Sequence, residues 1–271
     1  MSEFKPVHNA HAIERVSTGI QFAQPLNETD FKEIRELAST FIDDLPRQVE
    51  IQAMMLAIGP PGGSPEPPFP GGFLLQNMER DGSVSSELRI ETSSITYRTD
   101  TYTRWHDVWS KAKKYFDILI PKFLSYSEIV SINLTYVDKF VWDGEISECQ
   151  PNLLLRNNSE YICSHVYDSG ELWHTHTGKF LRVEDKFKRL LNLNIDCLDE
   201  KEASGNDKRV VKILTVITDN LNQHGYKAVD IKSDAVVNFV DEHMHKLHTF
   251  SKNTFSNIIC DDMCKRIGLF E

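Results

Sequence analysis

Two stretches of this chain alternate apolar and polar residues over more than ten positions, and that periodicity limits the fold more than any other feature. Residues 128–142, EIVSINLTYVDKFVW, place Ile132, Leu134, Tyr136 and, with one slip, Phe140 on one face of an extended strand. Residues 209–221, RVVKILTVITDNL, place Val211, Ile213, Thr215 and Ile217 on one face and Val210, Lys212, Leu214 and Val216 on the other. Strands of this kind must be paired, so the chain needs a sheet large enough to flank both.

The rest of the chain supplies the partners. Weaker alternation predicts strands over 12–23, 47–58 and 73–100, the last with a turn at Arg80-Asp81-Gly82 and two strands within Leu88–Thr99. Further strands are predicted near 161–167, 170–180 and 189–199, with 200–207 as a polar hairpin loop and 143–160 irregular. Helical spacing appears three times. Phe31, Ile34, Leu37, Ala38 and Phe41 define a helix over 28–43, capped by Asn27 and ended by Pro46. Trp105, Val108, Trp109, Ala112, Phe116, Leu119 and Ile120 define one over 104–124, which Pro121 kinks or ends. A last stripe from Ser233 to about Arg266 predicts one long helix, or two broken near Ser251–Thr254, with Asp234 in the first turn and Gly268 marking the end.

Runs of consecutive strands between few helices indicate an α+β fold with a largely antiparallel sheet. Two amphipathic helices fall in the N-terminal half and the long helix at the C-terminus. The expected organisation is one unit over 1–271 with two halves, about 1–143 and 144–271, sharing the sheet. Residues 59–72, GPPGGSPEPPFPGG, hold six prolines and five glycines in 14 positions and cannot join helix or sheet. They suit an exposed loop inside a hairpin, or a proline-rich ligand for an aromatic groove.

Charge and cysteine content narrow the function classes. The net charge is −10. Residues 1–150 hold 14 Lys and Arg against 22 Asp and Glu, whereas 151–271 hold 16 against 18, so the second half is nearly neutral. A general nucleic-acid binder needs a basic footprint, which the acidic half denies, so nucleic acid is not an expected partner except through the second half. The five cysteines are odd in number and widely spaced, and no apolar signal-type run opens Met1–Val16. Reduced thiols and a cytoplasmic, non-membrane protein are therefore expected. Cys260 and Cys264 share a helix face and could be soft-metal ligands or buried core; with no nearby Cys or His to complete the set, core is favoured.

Three segments carry a family resemblance: His8–Val16 running to Gln21-Phe22, Ile132-Asn133-Leu134-Thr135-Tyr136-Val137-Asp138, and Val240-Asp241-Glu242-His243 with Phe250, Phe255 and Arg266-Ile267-Gly268-Leu269. Together they resemble a sporadically distributed, functionally uncharacterised family of bacterial proteins of about this length. Three positions depart from its pattern: His11 stands for a usual proline, and Thr135 and Asp138 for an arginine and an asparagine. The resemblance implies a bacterial protein and brings no catalytic residues. Sporadic distribution would suit a mobile or phage-defence-linked gene.

The chemistry-bearing candidates are few. His174 and His176, at i and i+2, share one strand face and could hold zinc or another divalent metal with a helix histidine, His245; a solvated strand face is the simpler account. Arg98, Arg104, Lys179, Arg182, Lys186 and Arg189 are candidate contacts for an anion or a partner, the last four forming a basic cluster expected in a solvated loop. Tyr97, Tyr102, Trp105, Trp109, Tyr115 and Phe116 could line a base-stacking groove, although Trp105, Trp109 and Phe116 fit a buried stripe better. Neither Gly-x-Gly-x-x-Gly after a strand, Gly-x-Ser-x-Gly, a P-loop nor His-Glu-x-x-His occurs.

The expected function is a non-enzymatic binding or interaction protein: an accessory, inhibitor, immunity or sensor component without cofactor. It would have a protein partner encoded nearby and form a homodimer through its long helix or sheet edges. A metal-dependent hydrolase or nuclease, and a small-ligand or nucleotide binder, are the alternatives.

Overall fold

The structure, a computed structural model, describes residues 2–51, 71–183, 187–201, 205–221 and 233–270. Alternation over 128–142 becomes a strand of 14 residues, β7 (Ile129–Trp142). Its inward side chains run Ile132, Leu134, Tyr136, Asp138, Phe140 and Trp142 without interruption, all buried. The slip expected before Phe140 is absent; Asp138 simply occupies an inward position.

Nine further strands join β7 among the described residues, every pairing antiparallel. In chain order these are β1 (Phe4–Pro6), β2 (Ile13–Phe22), β3 (Arg47–Ile51), β4 (Gly72–Met78), β5 (Val84–Glu91), β6 (Ser94–Thr99), β8 (Trp173–Val183), β9 (Phe187–Lys201) and β10 (Asp207–Asn220). The spatial order is β3-β4-β5-β6-β2-β7-β10-β9-β8, with β1 on the end of β7. The α+β class with a largely antiparallel sheet therefore holds.

Register keeps one sheet face apolar. One row across the ladder reads Phe73, Ile90, Ile95, Ile20 and Ile132, then Asp219 and Arg189. The helices cover this face. Phe31 of α1 (Glu28–Ala38) meets Phe73 edge-on, and Phe123 of α2 (Trp105–Leu124) stacks on Phe22 at 4.4 Å. Phe255 of α3 (Ser233–Ser256) stacks over Phe140. Among the described residues the other face carries no helix contact of this kind; across it His174, Asp196, Lys212 and Lys139 lie in one row.

Several boundaries differ from the periodicity. The first helix ends at Ala38 and tightens to a 3-10 turn, Ser39–Phe41, where Ser39 and Thr40 hydroxyls bond the carbonyls of Glu36 and Leu37. Pro121 sits inside α2 without ending it. Residues 161–167 form no strand but turns and a 3-10 helix, Ser164–Val166; Tyr161, Ile162 and Val166 are buried at spacings that do not alternate. The strand expected from 170 begins at Trp173. The C-terminal stripe is broken after Ser256, not near 251–254, and resumes as α4 (Asp261–Arg266). The intervening backbone is drawn out of the helix to pair with the 154–156 segment: Arg156 N–H donates to Ile258 O, and Cys260 N–H to Leu154 O, each at 2.8 Å. Residues 52–70, most of the strand expected to 58 and of the Pro/Gly-rich segment, lie outside the described residues, as do 202–204 of the polar hairpin.

One polar pair is set into the apolar row. The Arg189 guanidinium grips Asp219 with two parallel hydrogen bonds of 2.7 and 2.9 Å, both side chains buried, and lies 4.8 Å over the Phe250 ring. Removing one member strands a buried charge. Asp219→Ala should cost about 3–5 kcal/mol in urea unfolding, and Asp219→Leu with Arg189→Met should recover most of it. A single variant within about 0.5 kcal/mol of wild type would contradict the structural role given to the pair.

Candidate functional site, a polar pocket beside a broken strand

The strand flanking β7 on the β2 side is interrupted. β1 pairs with β7 through Pro6 opposite Phe140, and β2 resumes with Ile13 opposite Asp138. Between them residues 8–11 leave the sheet, closed by a bridge of His8 to His11, while Val7 N–H donates to Lys139 O at 3.0 Å and Lys139 N–H to Ala12 O at 2.7 Å. A register shift follows between Ile13 and Arg15. Asp138 sits next to this insertion, in register with Ile13 and with Ile213 of β10.

A cavity of about 240 Å³ opens at this break. Its walls come from the 10–13 segment, the entry to α2 at 102–105, Tyr136 and Asp138 of β7, α3 from His248 to Phe255, and the final turn at 267–269. That final turn is fixed by local chemistry. Gly268 has φ +58°, and the N–H groups of Gly268 and Leu269 bond the carbonyls of Lys265 and Cys264, which is a Schellman stop.

The polar groups of the cavity hold unusual states. Asp138 is 5% exposed and makes no ion pair or hydrogen bond among the described residues. Burial pushes its carboxyl up to about 8, with no cation close enough to oppose the effect. Burial also raises Tyr102 to about 12 and Tyr136 well above its usual value, the negative end of Asp138 adding to both. Tyr136 thus keeps its proton and donates it to His248 Nδ1 at 2.9 Å, which assigns the Nε2–H tautomer to His248. Burial, then the charge of Lys252, presses His248 down to about 4, so it is neutral near pH 7. Its ring stacks on Trp105 at 4.6 Å and 6°. His11 is lowered by burial and by His8, and its Nδ1 is buried without a hydrogen-bond partner.

The expected metal set is not brought together. His174 and His176 are exposed on the helix-free sheet face, in register with Asp196 and Asn194. His245 lies on α3, on the opposite side, accepting from Trp105 Nε1 at 3.3 Å and 3.7 Å from Asp241. Among the described residues, no group of three or more His, Cys, Asp or Glu side chains could hold a metal ion.

The basic candidates scatter. Arg189 is consumed by Asp219 and cannot reach a partner. Lys179 faces Glu160 at 3.3 Å and caps the Tyr161 ring; Arg182 is exposed near the end of β8; Arg98 lies 3.4 Å from Asp100. The cluster from Lys179 to Arg189 is therefore spread over two strands and two sheet faces rather than gathered in one loop, and Lys186 lies outside the described residues. Arg104 alone of these lines the cavity, exposed at the N-cap of α2. Trp105, Trp109 and Phe116 form the buried stripe. Cys264 is buried and Cys260 half-buried, each as a thiol.

No family model and no curated protein matches the chain. Among the described residues no helix is long and apolar enough to cross a membrane.

Asp138 binds a proton in the fold across a range where the unfolded chain has lost it. Its contribution to stability is therefore complete below about pH 4 and is lost as pH rises toward about 8. His248 acts oppositely: the unfolded chain takes up a proton near 6.5 and the fold only near 4, so stability falls as pH drops through that window. Asp138→Asn should raise the melting temperature over wild type, by a larger margin at pH 8.5 than at pH 5. Equal margins would show that the carboxyl is not buried as described. Replacing both His174 and His176 by alanine should change stability by less than about 1 kcal/mol in the same melts.

Proposed function

We propose that this protein is a non-enzymatic binding module whose ligand is a small molecule seated in the cavity beside Asp138. One observation carries the reading: Asp138, a residue only 5% exposed, lines an open cavity and its carboxyl has no partner among the described residues. Such a group costs stability, and proteins tolerate that cost mainly where a ligand completes the site. The walls support it, being aromatic and apolar with a few convergent polar groups.

His248 is spent as a base, since it titrates near 4 and already accepts from Tyr136. Asp138 titrates near 8, within the range of general acid–base work, and is taken in this reading as the counter-charge of a bound ligand. Ligand occupancy would bear directly on α3, which supplies His248, Ser251, Lys252 and Phe255 to the wall and holds α2 through Trp109 Nε1 to Asp241 at 2.6 Å. A sensor or accessory component would pass occupancy to a partner by that helix, in keeping with the mobile or defence-linked setting that the sequence resemblance implies.

Ligand-observed NMR against a collection of small polar metabolites and fragments tests the reading. Saturable binding is expected in wild type and is expected to be lost in Ser251→Phe, whose ring fills the cavity, with circular dichroism reporting an intact fold. A saturating ligand at 100 times its Kd should add about 2.7 kcal/mol of stability. Absence of saturable binding across the collection would defeat the reading.

A further inference from the structure

The cavity has an ionisable acid at its floor and two cations at its mouth. The floor is Asp138, whose titration is set by burial with no cation answering it. Among the described residues its counter-charge is missing, and the cavity is the open route by which one could arrive. The mouth carries Arg104 and Lys252. Arg104 has no ion pair among the described residues, and Lys252 lies 5.5 Å from the Phe270 ring with no carboxylate at contact distance. Both line the same cavity as Asp138.

The walls between floor and mouth suit a cation. His11 meets Tyr102 at 5.1 Å and 72°, and Tyr102 meets Tyr136 at 6.4 Å and 75°. These edge-to-face contacts join the three rings into an aromatic wall of the cavity. An organic cation is attracted to such rings, and Asp138 once ionised supplies the larger part of what offsets its lost hydration. A carboxylate entering head-first would meet the same faces unfavourably and would need Asp138 to stay protonated.

We propose that the cavity selects a small zwitterion, its ammonium or methylated ammonium head against Asp138 within the aromatic walls and its anionic group at the mouth between Arg104 and Lys252. This rests on the reading of the cavity as a small-molecule site. Binding ionises Asp138 and releases its proton to solvent. Of the other groups facing the cavity, burial raises Tyr102 and Tyr136, which stay protonated, and lowers His11 and His248, the latter to about 4; Arg104 and Lys252 are the cations of the lining, and His8 packs on His11. Affinity should therefore tighten roughly 20-fold over that interval, following the ionised fraction of a carboxyl titrating near 8.

Isothermal titration with glycine betaine, glycine, tetramethylammonium and 3,3-dimethylbutanoate separates the contributions. The last compound has the shape of betaine with a neutral head. At least one of the two zwitterions should bind at least about tenfold more tightly than 3,3-dimethylbutanoate. Asp138→Asn should abolish that discrimination and the pH dependence while melting cooperatively. Arg104→Ala with Lys252→Ala should weaken the zwitterion but leave tetramethylammonium unchanged. Which zwitterion prevails distinguishes a primary from a methylated head. Equal binding of 3,3-dimethylbutanoate, or unaltered zwitterion affinity in Asp138→Asn, would overturn the proposal. So would cavity binding of only neutral or purely anionic members of the NMR collection, which would leave the small-molecule reading standing. Binding of no compound of any class would remove both.

Discussion

Everything in this protein is organised by the pairing of β7. It is flanked by β10 on one side and by β2 and then β1 on the other, so its backbone is satisfied along nearly its whole length. Beside residues 8–11 the flanking chain leaves the ladder for a few residues, yet Lys139 keeps both its backbone bonds, accepting from Val7 N–H and donating to Ala12 O. The insertion is therefore absorbed without cost to the pairing of β7. The cavity lies at this insertion, beside Asp138, whose strand neighbours are Ile13 and Ile213.

Two buried carboxylates show how differently the same residue type can be accommodated. Asp219 is fully enclosed and held by two hydrogen bonds from Arg189, a geometry that trades desolvation for directed contacts. Asp138 is enclosed almost as completely and receives no comparable partner. The first looks inward to stability. The second keeps its proton near neutral pH and can both donate and accept, which the first cannot do.

Much of the fold was legible in the residues. Strict alternation located β7 and β10, and the spacing of Trp105, Trp109, Ala112 and Phe116 located α2, because each pattern repeats long enough to outweigh local noise. Short segments were less legible: Tyr161–Tyr167 is apolar enough for a strand, but its backbone is spent on turns. The end of α3 was misplaced because Ile258 and Ile259 keep the apolar stripe going while their backbone pairs with the distant 154–156 segment. The cavity was nearly invisible. Its walls come from five separated segments, whereas the histidines clustered in sequence, His174 and His176, lie on the opposite sheet face. One signal was present. The apparent slip at position 138 in an otherwise unbroken alternation marks an acid on the core side of a central strand, and the register shows that the strand runs through it without irregularity.

The Schellman turn at Gly268 ties together segments far apart in the sequence. It sets one wall of the cavity from residues 267–269, while another comes from residues 10–13. The cavity therefore exists only while both segments are docked beside β7. Loosening either one would open Asp138 to water and leave the ladder of β7 paired, so the state of the cavity reports on docking rather than on the sheet.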